Sequence, residues 1–110
     1  MVTFEIRKPT SLEMCDTYHN FCPQRVCHLR SDMLGYILNM SNINAESRVL
    51  LVEHTRGMLT GAIIEKEPKY VMRVEFGHES IKINSEILHQ FDYDPSFHSR
   101  VGSVHGKLLI

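Results

Sequence analysis

The chain has 110 residues, a formal net charge of −1, and apolar (43%) and charged (23%) fractions that are ordinary for one globular domain. The near-neutral charge excludes a nucleic-acid-binding role that rests on bulk charge alone, and no apolar run approaches the roughly 18 residues of a membrane-spanning helix. Three cysteines are an odd count for a disulfide framework, so we expect a reducing compartment.

Two helices are predicted to lead into the domain, within residues 1–45. Thr10–Glu13 has the pattern of a capping box, and the helix that it begins should end before Pro23. Its predicted apolar face consists of Leu12, Cys15, Tyr18 and Cys22. Ser31 is the predicted N-cap of the second helix, and Gly35 inside that helix costs about 1 kcal/mol unless a close contact requires it. The apolar stripe of the second helix consists of Met33, Leu34, Ile37 and Leu38.

Residues 46–110 predict a βαβ-type core. The continuous apolar run 48–52 is typical of a strand buried on both faces of a parallel sheet. A helix over 58–66 should follow, with Gly61 and Ala62 allowing it to lie close to the sheet, and then a second strand over 70–76. Further expected elements are a helix over 86–91, a helix from Asp94 to about Val101, and a last strand over 107–110. This order predicts an α/β fold with a mainly parallel sheet, in one domain over 1–110.

The loop after the first strand is the candidate functional site, because open parallel sheets bind ligands at the carboxyl ends of their strands. Glu53 stands at the start of the loop, where methyltransferases that use S-adenosylmethionine have an acidic residue followed by alternating glycines. Here the alternating positions are Thr55, Gly57 and Leu59, so only the central glycine remains. We therefore expect no cofactor in this chain, with Met58 and Leu59 packing inward. The alternative is that Gly57 is an ordinary turn glycine.

Five segments between Pro9 and Lys66 carry a family resemblance through their order and spacing. They are Pro9-Thr10, Pro23–Val26, Leu29–Leu34, Ser41–Ile43 and Ser47–Leu59. With these segments the chain resembles the non-catalytic subunit of eukaryotic tRNA (adenine-58-N1)-methyltransferase, shortened and without the N-terminal barrel of that family.

The resemblance implies a partial Rossmann-like methyltransferase fold and a role without catalysis. It implies that a catalytic partner subunit binds S-adenosylmethionine, that the two subunits form a heterotetramer in the nucleus, and that the complex binds tRNA and makes N1-methyladenosine in the T-loop. We expect no membrane partner. The alternatives are an active small S-adenosylmethionine-dependent methyltransferase, or a plain α/β interaction module.

Three further residues are site candidates. Glu75, at the end of the second strand, is either a ribose ligand or a relic of one, and we favour the relic. Arg25 and Arg30 are candidate tRNA-phosphate contacts, with ordinary surface ion pairs such as Arg30 with Asp32 as the alternative.

A group of cysteines and histidines near the first helix raises the question of zinc. The group consists of Cys15, His19, Cys22, Cys27 and His28. It contains no C-x2-C pair, and a buried helix face explains the cysteines equally well, so we predict no metal site.

Overall fold

The computed structural model describes residues 2–75, 86–91 and 95–105. Three α-helices and three strands form its regular structure: α1 (Ser11–Phe21), α2 (Ser31–Met40), β1 (Arg48–Val52), α3 (Met58–Ile64), β2 (Tyr70–Glu75) and β3 (Val101–His105). Three short 3-10 helices accompany them, at Pro23–Val26, Leu88–Gln90 and Pro95–Arg100.

The strands form a parallel sheet in the order β1-β2-β3, which confirms the predicted α/β class. Val49 pairs with Val71, and Val71 pairs in turn with Val101. The third strand, Val101–His105, was not predicted, and it begins where we expected a helix to end. The strand expected over 107–110 lies outside the described residues.

The predicted cap of α1 is confirmed and that of α2 is wrong. The hydroxyl of Thr10 accepts a hydrogen bond from the Glu13 amide at 3.2 Å. In α2, Ser31 is already helical and Arg30 holds the N-cap position without a side-chain bond. The Asp32 carboxylate instead accepts from the Met33 amide at 2.8 Å, so an acid within the first turn stabilises this helix end.

The buried face of α1 differs from the prediction. Ser11, Met14 and Cys15 are buried, whereas Leu12 is 44% exposed. A helix advances by about 100° per residue, so the burial of Met14 in the core rotates Leu12 away from it. The sequence pattern identified Cys15 correctly and missed Met14.

Burial of β1 on both faces was also predicted wrongly. Leu51 is buried, but Leu50 is 72% exposed and Val52 is 53% exposed. Among the described residues, the helices cover only the face of β1 that carries Leu51, so alternate residues of an apolar run remain exposed.

Within the described ranges, buried side chains form two core clusters. The larger one joins the helices to the segment 86–91 and contains Met14, Cys15, Val26, Leu34, Met58, Ala62, Ile87 and Phe91. The smaller one packs α3 on the sheet and contains Leu51, Ile63 and Val71. Gly61 and Ala62 were therefore assigned to the wrong face: a side chain at Gly61 would meet the ring of Phe91, and Ile63 is the residue that contacts the sheet.

In the final third, the helix expected over 86–91 is shorter than predicted, whereas the helical stretch expected from Asp94 to about Val101 is present over nearly that range. In place of α-helices, 3-10 helices occupy Leu88–Gln90 and Pro95–Arg100. Asp94, the expected start of the second of these helices, lies outside the described residues, as does Phe76 at the predicted end of the second strand. In the described ranges, no helix has the length and apolar character needed to cross a membrane.

Candidate functional site

Glu53 directly follows β1, and its carboxylate binds the first turn of α3. One oxygen accepts from the Leu59 amide at 3.1 Å, and the other accepts from the Thr60 amide at 3.2 Å. The hydroxyls of Thr55 and Thr60 also donate to this carboxylate. The Glu53 side chain is only 3% exposed. Glu53 therefore acts as a buried cap of α3, although it lies five residues before the helix.

The other first-turn amides of α3 also have partners within the loop. The Met58 amide donates to the Thr55 carbonyl at 3.1 Å, and the Gly61 amide donates to the Gly57 carbonyl at 2.9 Å. A helix N-terminus attracts anions because its first four amides lack helical partners. In α3 the Gly61 amide makes the first regular helical bond, and the amides of Met58, Leu59 and Thr60 are bonded to groups of the loop. The group in the anion-binding position is the Glu53 carboxylate.

Arg73 on β2 supplies the opposite charge. Its guanidinium lies 3.6 Å from the Glu53 carboxylate, and its side chain is 3% exposed. Burial of a lone carboxylate costs several kcal/mol, and this ion pair offsets part of that cost. The loop is thereby joined to the central strand of the described sheet.

The segment 86–91 covers Gly57. This glycine has a φ of +93°, and a Cβ there would lie 2.4 Å from the Cβ of Leu88. The amides of Ile87 and Leu88 both donate to the Arg56 carbonyl, at 2.9 and 3.3 Å. Gly57 is therefore required by backbone conformation and by close packing within the chain.

The sequence-predicted loop residues lie together, but in different roles from those of a cofactor cradle. Thr55 is buried with its hydroxyl on Glu53, Met58 is fully buried, and Leu59 is half-buried against both core clusters. Glu75 is the last residue of β2, where its backbone pairs with His105. Its side chain is outside the description.

Sequence reasoning missed three residues of this site: Thr60, Arg73 and Leu88. For Arg73 a signal existed, since it is a charged residue between apolar neighbours in a strand, and a buried charge requires a partner. Thr60 and Leu88 carry no such signal, because their contacts depend on how the chain folds back on the loop.

The candidate RNA-binding arginines both form surface ion pairs. The Nη1 atom of Arg25 lies 3.7 Å from the carboxylate oxygen Oε1 of Glu86, and the Nη1 atom of Arg56 lies 3.3 Å from the same oxygen. Arg30 lies 2.8 Å from Asp32, the alternative pairing considered above. The fold thus brings Arg25 to Arg56 around one acid, whereas Arg30 pairs with an acid of its own helix.

The cysteines occupy separate environments. Cys15 is fully buried in the larger cluster, its thiol donates to the Leu29 carbonyl at 3.4 Å, and burial raises its pKa from 9.0 to about 11. Cys27 is exposed, and its thiol donates to the His54 carbonyl at 3.1 Å. Across the described segments, no group of three or more metal-ligating side chains comes together.

Comparison with known proteins assigns the chain to a family. A tRNA (adenine(58)-N(1))-methyltransferase non-catalytic subunit trm6 from Dictyostelium discoideum is 39% identical over 62 residues, which cover 56% of this chain and 12% of that relative. The chain thus spans a small part of the length of this relative. The sequence model of the Gcd10p family matches residues 1–107, a range that extends well beyond the segments on which the resemblance was based. Because this match covers nearly the whole sequence, the chain belongs to the Gcd10p family.

Proposed function

We propose that this chain is a non-catalytic part of a tRNA (adenine-58-N1)-methyltransferase complex, in which it supports a catalytic subunit and the binding of tRNA. Membership of the Gcd10p family and the name of the relative support the complex. The observation that carries the non-catalytic role is the bonding of the Glu53 carboxylate to the first turn of α3.

The residues of the loop do not fit a methyl donor. The carboxylate end of S-adenosylmethionine would need free donors, but the Leu59 and Thr60 amides already donate to Glu53. A second carboxylate beside Glu53 would be repelled in a poorly hydrated site. Leu88 also packs directly on Gly57, the one glycine that remains of the alternating set. The methyl donor and the transfer chemistry then belong to the catalytic subunit.

The contribution to tRNA binding rests on Arg25 and Arg30. Their side chains are 55% and 67% exposed, and each has a carboxylate neighbour. Exposed ion pairs contribute only about 0–1 kcal/mol, so a tRNA phosphate can replace the carboxylate at little cost. We place this role in a heterotetramer with the catalytic subunit, in the nucleus.

Isothermal titration calorimetry with S-adenosylmethionine tests the proposal. We expect no binding heat for the chain, whereas the catalytic subunit titrated in the same way binds. The Thr55→Gly/Leu59→Gly variant should also remain silent, because Glu53 and Leu88 still occupy the loop. Circular dichroism of the chain and the variant confirms that each is folded.

Two outcomes would contradict the proposal. Micromolar binding of S-adenosylmethionine to the chain would favour the alternative of an active small methyltransferase. Failure to co-purify with the catalytic subunit on co-expression would favour a plain interaction module.

A further inference from the structure

Two arginines from distant parts of the chain share one carboxylate. Arg25 belongs to the 3-10 helix Pro23–Val26, and Arg56 belongs to the loop after β1. Both guanidiniums pair with the same oxygen of Glu86, and the described residues place no second carboxylate on either of them. The cluster therefore contains two positive charges and one negative charge, so it has an excess of one positive charge at the surface.

The backbone holds Arg56 in place without help from the Glu86 carboxylate. The φ of Arg56 is +56°, in the left-handed region that few residues with a Cβ adopt. Its carbonyl accepts hydrogen bonds from the amides of Ile87 and Leu88, and both of these side chains are buried. The segment 86–91 is thus anchored by these contacts, and the Glu86 carboxylate can release the arginines while the segment stays in place.

All three charged side chains of the cluster are accessible to solvent. Arg25 is 55% exposed, Arg56 is 27% exposed and Glu86 is 35% exposed. Ion pairs with this much exposure are weak. A guanidinium binds phosphate oxygens well because its N–H donors form a planar fork. A phosphodiester has two free oxygens, so two neighbouring guanidiniums can bind one phosphate together.

We propose that Arg25 and Arg56 form a phosphate-binding site for tRNA, and that Glu86 is an internal counter-ion that the RNA phosphate displaces. The inference rests on the proposed function for the source of the phosphate. It adds Arg56 as an RNA contact and Glu86 as a competitor of the RNA. Arg30 is not part of this site, because it pairs with an acid of its own and has no excess charge beside it.

The charge excess favours RNA over an acidic protein surface as the occupant. A carboxylate from a protein would replace Glu86 with a group of the same kind and the same charge. A tRNA phosphate is flanked by further phosphates, so RNA can neutralise both arginines at once and release their counterions.

Fluorescence anisotropy of a labelled tRNA transcript, titrated with the full chain alone, tests the proposal. Glu86→Gln should bind tRNA about two- to fivefold more tightly than the wild type, because the phosphate no longer competes with an exposed ion pair. Arg25→Gln and Arg56→Gln should each weaken binding by about three- to tenfold, and each should reduce the salt dependence by about one phosphate contact.

Glu13→Gln is the matched control for Glu86→Gln. Glu13 pairs with Arg7 at 3.1 Å, and these side chains are 39% and 61% exposed, but this pair is one to one. Its loss of one negative charge should leave tRNA affinity unchanged. A second comparison adds Glu86→Gln to the Arg25→Gln/Arg56→Gln double variant, where the gain in affinity should disappear. Circular dichroism confirms that each variant is folded.

The proposal is overturned if Glu86→Gln binds tRNA no more tightly than the wild type, or if its gain persists without both arginines. It is also overturned if Arg56→Gln leaves tRNA binding unchanged and instead abolishes co-purification with the catalytic subunit, since an acidic protein surface is then the occupant. Failure of the proposed function is a separate result: the wild type would not co-purify with the catalytic subunit, whereas the tRNA affinities above are measured without that subunit.

Discussion

The guanidinium nitrogen Nη2 of Arg73 lies 3.6 Å from the carboxylate oxygen Oε1 of Glu53, and the side chain of each residue is only 3% exposed. Glu53 belongs to the loop after β1 and Arg73 to β2, so their ion pair joins the loop to the sheet. The same carboxylate accepts the Leu59 and Thr60 amides. Glu53 therefore has a structural role, because its carboxylate joins the loop to both α3 and β2.

The first prediction concerns this ion pair. Glu53→Gln removes the negative charge and leaves Arg73 buried without it, which should lower the free energy of unfolding by about 3–5 kcal/mol. Adding Arg73→Met to Glu53→Gln should recover part of the lost stability. We expect a coupling free energy of about 1–3 kcal/mol between the two substitutions. Urea unfolding of the wild type, both single variants and the double variant measures the coupling.

Glu46→Gln is the control for this cycle, because Glu46 is exposed and its change should stay within about 0.5 kcal/mol. Additive effects of the Glu53 and Arg73 substitutions would show that the two charges do not stabilise each other in solution.

The second prediction compares two glycines in one chain. Gly57→Ala forces a φ of +93° on a residue with a Cβ and drives that Cβ to 2.4 Å from Leu88, so it should destabilise the fold by about 2–4 kcal/mol. Gly35→Ala places a methyl group in open space within α2, so it should stabilise the fold by about 0.5–1 kcal/mol. Thermal and urea unfolding report both changes, and equal signs for the two would contradict the packing described at Gly57.

The class of the fold and the place of the site could be predicted from local patterns. The bounds of β1 matched the apolar run, and the bond of Thr10 to the Glu13 amide followed from the capping-box spacing. Glu53 was identified because an acid after a parallel strand stands where ligands bind. Each of these inferences depends on residues that are near one another in sequence.

Burial and partner choice could not be predicted in the same way, because they depend on contacts between distant segments. Leu50 and Leu51 are identical in type, yet one is exposed and the other is buried. The packing of Leu88 on Gly57 joins residues 31 positions apart, and neither segment has a sequence pattern that predicts this contact. Met58 and Leu59 pack inward, as expected, but the sequence did not predict that the Glu53 carboxylate and Leu88 would also occupy the loop.

The third prediction concerns tRNA binding and rests on the proposed function. Arg25→Gln and Arg30→Gln should each weaken tRNA binding by the complex with the catalytic subunit, and each should reduce the salt dependence of binding by about one phosphate contact. Filter binding over a range of salt concentrations measures both effects.

Arg7→Gln is the matched control for these arginines, because Arg7 is also exposed and also paired, with Glu13 at 3.1 Å. The control should leave tRNA affinity unchanged. Unchanged affinity and salt dependence in both the Arg25 and Arg30 variants would remove these residues from the tRNA surface and leave them as ordinary ion pairs.

The fourth prediction concerns stability at high pH. Burial raises the pKa of Cys15 from 9.0 to about 11, so the thiol stays protonated in the folded chain at pH values where the unfolded chain has lost the proton. The unfolded state then binds fewer protons than the native state, and the free energy of unfolding falls as the pH rises from about 9 to about 11. The loss from this one group should not exceed about 3 kcal/mol.

The control is Cys15→Ala, whose free energy of unfolding should fall less steeply over this window. Burial also raises the pKa of Tyr18, which adds a decline above pH 10 in both proteins, so the difference between the two curves isolates the thiol. Parallel curves would mean that Cys15 is more hydrated in solution than its position against Leu29 implies.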